Sequence, residues 1–202
     1  MKTLLSAFAI VSITAACAVS AQVVGQPAPN FRLSDASGKA VSLSDFRGKT
    51  VVLEWHNPDC PFVRKHYGSG NMQRTQAAAA RDGVVWLTIN SGGPGKQGHV
   101  NGAQARAFLS QSGATPTAYL LDPDGAAGRL YDAKTTPHMY VINPAGTLVY
   151  NGAIDDKPTP NPADVNGARN HVLAALADLK AGRSVAVPTS RPYGCSVKYA
   201  GS

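Results

Sequence analysis

Two apolar segments separated by a helix-like stretch most constrain the fold of this chain. Val51–Trp55 and residues 84–90 are almost wholly apolar and rich in β-branched side chains, as expected of strands covered on both faces. Residues 61–81 between them predict a helix that is bent or interrupted at the Gly-Ser-Gly triplet 68–70. The order strand, helix, strand predicts an α/β domain.

The flanking segments extend this pattern. Residues 22–50 predict a small β-hairpin leading into the first strand, and residues 138–154 predict a second hairpin around the Asn-Pro-Ala-Gly turn at 143–146. A final helix is predicted from a cap at Asn161 to about residue 181. Further elements are predicted at 103–112 (helix), 117–122 (strand) and 128–134 (helical turn). We therefore expect a mixed central sheet flanked by helices, with an N-terminal β-hairpin extension.

The first 21 residues predict export. Lys2 precedes an apolar run, and Val-Ser-Ala at 19–21 is a small-residue cleavage pattern. Lipid attachment at Cys17 is less favoured, because Thr14 stands where an apolar residue is usual. No second apolar span follows, so the mature chain is expected to lack an integral membrane span. We predict a periplasmic or secreted protein with one domain at 22–186 and a C-terminal tail at 187–202.

Charge and composition exclude other classes of function. The formal net charge is +7, but the basic residues are scattered and form no run with interleaved aromatics, so nucleic acid is not expected as a partner. The glycine-rich segment 91–102 lacks the phosphate-loop pattern, since Asn90 replaces its first glycine and Gln97 follows Lys96. We interpret it as an exposed loop near the rim of the active site. No organic cofactor is implied.

Cys60 is the candidate nucleophile. It lies at a strand-to-helix junction, where Asn57 or Asp59 is expected to cap the helix and Pro61 fits its first turn. Helix amides there favour a thiolate, the reactive form of cysteine. The neighbouring Arg64, Lys65, His56 and His66 are expected to add positive potential. The alternative is a small buried apolar residue; flanking polar residues favour a reactive thiol within reach of solvent.

Four segments in order carry a resemblance: VVLEWHNPDCPFV, TTPHMYVI, LVYNGAIDD and GCSVKY. The chain resembles the peroxiredoxin-like branch of the alkyl hydroperoxide reductase and thiol-specific antioxidant (redoxin) family, in the thioredoxin superfamily. The resemblance implies a thioredoxin-like fold. It also implies a cis Pro137 facing the thiol and a Thr136 backbone that binds a docking peptide or disulfide. We place Thr136, Pro137, Asn57 and Pro61 as substrate-binding residues around the catalytic Cys60.

Departures from the family pattern limit what the resemblance implies. Asn57 occupies the first position of the C-x-x-C pair of many relatives, so a disulfide within that motif is impossible. Leu53 and Asn57 stand where peroxiredoxins have Pro and Thr, and Arg129 is only a distant candidate for their activating arginine. Peroxidase activity therefore has weaker support than disulfide exchange.

Cys195 is the expected partner of Cys60, in one of two roles. It either resolves an oxidised Cys60 as a second catalytic thiol, or forms with it a permanent staple worth about 4 to 5 kcal/mol by chain entropy. Spacing does not separate these roles. The predicted function is an exported thiol oxidoreductase that needs an external thiol reductant or a partner disulfide protein, with a hydroperoxide as another possible substrate.

Two alternative functions are not enzymatic. One is copper binding by Cys60 with His56 and His66, joined by His138 and Met139, since sulfur and imidazole suit this metal. The other is a redox-inactive binding module with a structural Cys60–Cys195 disulfide. We assign no metal site, because the chain lacks two closely spaced cysteines.

Overall fold

The computed structural model describes residues 23–201, so the predicted signal and Cys17 lie outside the described residues. The strands are β1 (Arg32–Asp35), β2 (Ala40–Ser42), β3 (Val51–Trp55), β4 (Val85–Asn90), β5 (Ala118–Leu121), β6 (Thr135–Thr136), β7 (His138–Ile142), β8 (Leu148–Gly152) and β9 (Cys195–Ser196). The α-helices are α1 (Pro61–Gly68), α2 (Asn71–Arg81), α3 (Gly102–Ser112), α4 (Ala126–Leu130) and α5 (His171–Lys180). Short 3-10 helices span Leu43–Phe46 and Pro162–Val165. Within 23–201 no helix combines the length and apolar character that a membrane span requires.

Seven strands form one mixed sheet in the order β2-β1-β5-β4-β3-β7-β8. β3, β4 and β5 run parallel, whereas β7 and β8 pair antiparallel on one side. On the other side the N-terminal hairpin β1–β2 joins through an antiparallel contact of β1 with β5. The expected mixed α/β sheet with an N-terminal hairpin is confirmed.

β3 is an interior strand of the sheet, between β4 and β7, and all five of its residues are buried. Alternate side chains face opposite sides of a strand, so Leu53 and Trp55 join one core and Val52 joins the other. The second core includes Val63 of α1 and Met72 of α2. A strand covered on both faces explains the nearly continuous apolar run in the sequence.

Two helix predictions needed correction. The break at residues 68–70 is confirmed, since α1 ends at Gly68 and α2 begins at Asn71. The single helix predicted from Asn161 is wrong: Asn161 caps only a 3-10 turn, and α5 begins at His171 with Asn170 as its cap. Gly167 in the intervening loop has φ +78°, a left-handed conformation that a helix does not allow. The helical turn predicted at 128–134 corresponds to α4, which begins two residues earlier, at Ala126, and ends at Leu130.

Glu54 is a buried carboxyl at the centre of the sheet. Its oxygens accept hydrogen bonds from Tyr67 Oη (2.7 Å), Trp86 Nε1 (2.8 Å) and Thr88 Oγ1 (3.0 Å). Burial raises the pKa of Glu54, and these donors act in the opposite direction. The carboxyl ties β3, β4 and α1 together through polar bonds inside the core.

Replacing Glu54 with Ala is expected to destabilise the fold by about 3 kcal/mol or more, because the Tyr67 and Trp86 donors lose their acceptor inside the core. Urea unfolding followed by far-UV circular dichroism measures this. The matched control is Asp59→Ala, which removes an exposed ion pair with Arg64 (3.2 Å) and is expected to cost at most about 1 kcal/mol. Equal losses in the two variants would contradict the assignment.

Candidate active site

The site forms where β3 ends beside the start of β7. These strands are antiparallel neighbours with Trp55 opposite His138, so the loop after β3 lies next to the residues before β7. That arrangement brings Cys60 to Thr136 and Pro137. The Thr136–Pro137 peptide bond is cis, as the resemblance implies.

Cys60 is the N-cap residue of α1, with Pro61 in the first turn. Its side chain has no exposed surface and makes no capping hydrogen bond to the helix. Instead, Sγ donates to the Thr136 carbonyl oxygen (3.0 Å) and accepts from the backbone N–H of Cys195 (3.4 Å). The expected solvent-accessible thiol held by helix amides is therefore wrong in this conformation, because the C-terminal tail covers the sulfur.

The tail reaches Cys60 as a strand. β9 pairs antiparallel with β6, which places Cys195 opposite Thr136 and Ser196 opposite Thr135. Cys195 is half-buried, and both cysteines are free thiols. Burial, the hydrogen bond with Cys60 and the charge of Cys60 raise the pKa of Cys195 to about 12. The two sulfur-bearing residues that the sequence predicted as partners thus lie side by side.

Gly194 permits this close approach. An added Cβ would lie 2.0 Å from the Thr136 carbonyl oxygen, and the backbone has φ +134°, a region that side chains rarely allow. Only glycine therefore lets the tail lie against β6 at this point.

Tyr193 anchors the tail in a buried polar group, the Tyr193 cluster, formed by Lys65, His66, Asp155 and Tyr193. The Tyr193 hydroxyl donates to Asp155 Oδ1 and lies 3.0 Å from His66 Nε2. Lys65 Nζ, fully buried, donates to the Lys157 carbonyl (2.6 Å) and lies 3.5 Å from Asp155 Oδ2. The ring of Tyr193 also packs on Phe62, with centroids 5.7 Å apart. Sequence reasoning missed this cluster, whose members are up to 128 positions apart in sequence, Lys65 and Tyr193 being the extremes.

The side chains predicted to add positive potential near Cys60 do not do so. Burial lowers the pKa of His56 to about 3 and that of His66 to about 4, so both are neutral at pH 7. Lys65 is paired within the Tyr193 cluster. Arg64 is exposed and bonds the Pro58 carbonyl (3.0 Å) and Asp59.

The other predicted residues have identifiable contacts. Asn57 accepts from the Asp59 N–H (2.8 Å) and donates to Gln97 Oε1 (3.2 Å), so it orders the loop before Cys60 rather than capping α1. Pro61 is exposed, while Pro137 is buried. The glycine-rich loop borders the site, since a Cβ at Gly98 would strike the Asn57 side chain. It is not the exposed loop that was expected, because residues 91–93 and 98 are buried and only 94–97 are fully exposed.

Arg129 does not reach the site. Its guanidinium bonds the Ala200 carbonyl (2.7 Å) and stacks 4.7 Å from the Tyr199 ring centroid, so it holds the end of the tail.

The histidines considered for copper binding lie apart in separate environments. His56 packs among Tyr67, Phe108 and Tyr119, while His138 Nε2 lies 2.8 Å from Asn151 Oδ1. Among the residues that the structure describes, no three His, Cys, Asp or Glu side chains are grouped to hold a metal ion.

Replacing Gly194 with Ala is expected to detach β9 and to accelerate alkylation of Cys60 by iodoacetamide at least about tenfold, since labelling follows the open population. Mass spectrometry of the Cys60 peptide gives the rate. Gly146→Ala is the matched control, because Gly146 also has a left-handed φ (+85°) but nothing within 4 Å of an added Cβ. Equal labelling of the two variants would show that the tail does not cover Cys60.

The stability contributed by His138, the first residue of β7, is expected to depend on pH. Its Nδ1 accepts from the Lys134 N–H (3.2 Å), and burial lowers the pKa of His138 to about 4, against an unfolded value of about 6.5. The unfolded chain therefore takes up this proton first as the pH falls. The contribution of neutral His138 is complete above about pH 6.5 and is lost toward about pH 4.

We expect this loss to be about 3 kcal/mol. Urea unfolding of the wild type and of His138→Gln at about pH 7, 5.5 and 4 measures it, and the stability advantage of the wild type is expected to shrink with falling pH. A difference that does not change with pH would contradict the assignment.

Comparison with known proteins assigns the chain to a family. The AhpC/TSA family model matches residues 24–151. Thiol-disulfide oxidoreductase ResA of Bacillus subtilis (strain 168) is 27% identical over 132 residues, which cover 62% of this chain and 64% of ResA. The match thus spans less than two thirds of that relative's length.

Two solved structures match nearly the whole chain. An uncharacterized conserved protein from Geobacillus kaustophilus has a TM-score of 0.79 at 27% identity, covering 90% of this chain and 94% of that one. A hypothetical protein from Sinorhizobium meliloti 1021 has a TM-score of 0.76 at 23% identity, covering 91% and 98%, and supports the fold alone. The family match covers more than half of the chain and agrees with the resemblance read from its motifs, so the protein belongs to the AhpC/TSA family of the thioredoxin superfamily.

Proposed function

We propose that this protein is a thiol-disulfide oxidoreductase with Cys60 and Cys195 as its redox pair. The observation that carries the proposal is the 3.4 Å contact between the Cys195 N–H and Cys60 Sγ, within the pairing of β9 with β6. Both thiols are held together in the folded state, so they can join without unfolding of the domain. The name of the relative ResA supports the same reaction class.

The proposed reaction is a two-electron exchange with an external partner. The two thiols reduce a partner disulfide to two thiols and become the Cys60–Cys195 disulfide; the reverse reaction oxidises a partner dithiol. An external thiol reductant or a partner disulfide protein completes each cycle. Thr136 and Pro137 lie buried beside the pair, and β9 pairs with the Thr136 backbone that the resemblance assigns to substrate binding. We also propose that the chain is exported, since an oxidising compartment suits a disulfide-forming pair.

Hydroperoxide reduction has less support. Leu53 is a core residue, and the Asn57 side chain is engaged by Asp59 and Gln97. Neither offers the hydroxyl that peroxiredoxins place near their cysteine. The test below includes a peroxide so that this activity is measured as well.

A Cys60–Cys195 disulfide that opens and closes in the folded protein is the expected outcome. Equilibration in glutathione or dithiothreitol redox buffers, acid quenching and disulfide mapping by mass spectrometry give its midpoint, which we expect above about −300 mV, outside the range of structural disulfides. Cys60→Ser and Cys195→Ser are matched controls. Each is expected to lose multi-turnover reduction of a protein disulfide by about a hundredfold or more, because neither can complete the cycle.

A disulfide that resists reduction under these conditions while the domain stays folded would instead support a permanent staple. Formation of the same disulfide by one equivalent of hydrogen peroxide, faster than in an unfolded control, would add peroxidase activity.

A further inference from the structure

The two cysteines of the proposed pair differ in burial. Cys60 has no exposed surface, whereas Cys195 is half-buried and precedes the exposed Ser196. The tail forms part of the cover over Cys60, because the Cys195 N–H contacts its Sγ. The Thr136 carbonyl of β6 contacts the same atom. A molecule approaching from solvent meets Cys195 first.

The cover is fixed on both sides of Cys195. Upstream, Tyr193 is bound in the Tyr193 cluster, and its departure would uncover the buried Lys65 and Asp155. Downstream, the Val197 N–H donates to the Lys134 carbonyl (3.0 Å), and the Lys198 carbonyl accepts from the Gly93 N–H (2.7 Å). Reaching Cys60 directly requires several of these contacts to break together.

We propose that Cys195 is the sulfur that exchanges with external partners, and that Cys60 is the internal sulfur that opens and closes the disulfide. This inference rests on the proposed function. It reverses the roles expected from the sequence, where Cys60 attacks the partner and Cys195 resolves the intermediate. Asn57 occupies the position that holds the first cysteine in many relatives. In this chain Cys195 of the tail supplies the second sulfur of the pair instead.

The exchange is balanced in both directions. A partner thiolate attacks Cys195 Sγ of the oxidised protein, a partner–Cys195 disulfide forms, and the Cys60–Cys195 bond breaks with Cys60 leaving as thiolate. A second partner thiol then releases Cys195, so the partner becomes a disulfide and the protein a dithiol. In reverse, Cys195 attacks a partner disulfide, and Cys60 attacks Cys195 Sγ to expel the remaining partner thiol.

The first experiment uses the full wild-type chain. The oxidised protein is mixed with a single-thiol probe, reduced glutathione, and quenched with acid at early times, and the probe adduct is located by mass spectrometry. We expect the adduct on Cys195, with Cys60 released as a thiol. An adduct mainly on Cys60 would overturn the inference.

The second experiment compares single-cysteine variants with 5,5′-dithiobis(2-nitrobenzoate). Cys60→Ser, which retains Cys195, is expected to react at least about tenfold faster than Cys195→Ser, which retains the covered Cys60. Adding Tyr193→Ala to Cys195→Ser is expected to restore reaction at Cys60 at least about tenfold, because the tail is released. Tyr193→Phe in the same background is the control that keeps the ring contacts. Equal or faster reaction of Cys195→Ser than of Cys60→Ser would contradict the proposal.

The redox-buffer measurement separates the two proposals. A disulfide that cycles while the probe is found on Cys60 defeats only the assignment of roles. A disulfide that does not cycle defeats the proposed function and this inference together.

Discussion

The pairing of Thr135–Thr136 with Cys195–Ser196 is the contact on which the site depends. It joins two cysteines that are 135 positions apart, and it does so through two residues of backbone pairing. Such a short ladder is weak alone, so the neighbouring contacts matter. Tyr193 on one side and the backbone bonds of Val197 and Lys198 on the other hold β9 in register. The glycine at 194 removes the steric barrier to this approach.

Because noncovalent contacts already hold the tail against the domain, a Cys60–Cys195 disulfide does not have to bring the two cysteines together. Closing a loop of this length in an unfolded chain would cost about 5 kcal/mol of chain entropy. In the folded protein that ordering has already occurred before any covalent bond forms. The Cys60–Cys195 pair therefore behaves as neighbouring thiols despite their separation in sequence. This is why a chain without a C-x-x-C motif still has the components of a dithiol pair.

The parts of the fold that sequence predicted are those with local patterns. The apolar run of Val51–Trp55 identified a strand that is buried on both faces, and the glycines around Ser69 identified the break between helices. The predictions failed where a distant segment decides the environment. The tail that contacts Cys60 is not placed there by any local sequence pattern. Lys65 would be expected on the surface from its charge, but it is buried because Asp155 and Tyr193 lie against it.

Asn57 shows how the loop accommodates the missing cysteine. Its side chain bonds the Asp59 N–H and Gln97, and the glycine at 98 leaves room for it. The position that holds a sulfur in many relatives has therefore become a structural amide that fixes the loop leading to Cys60. Because the second sulfur then comes from the tail, the redox state of the pair is coupled to the attachment of that tail. A Cys60–Cys195 bond would hold β9 in place covalently, whereas in the dithiol state noncovalent contacts hold it there, among them those of Tyr193, Arg129 and the backbone.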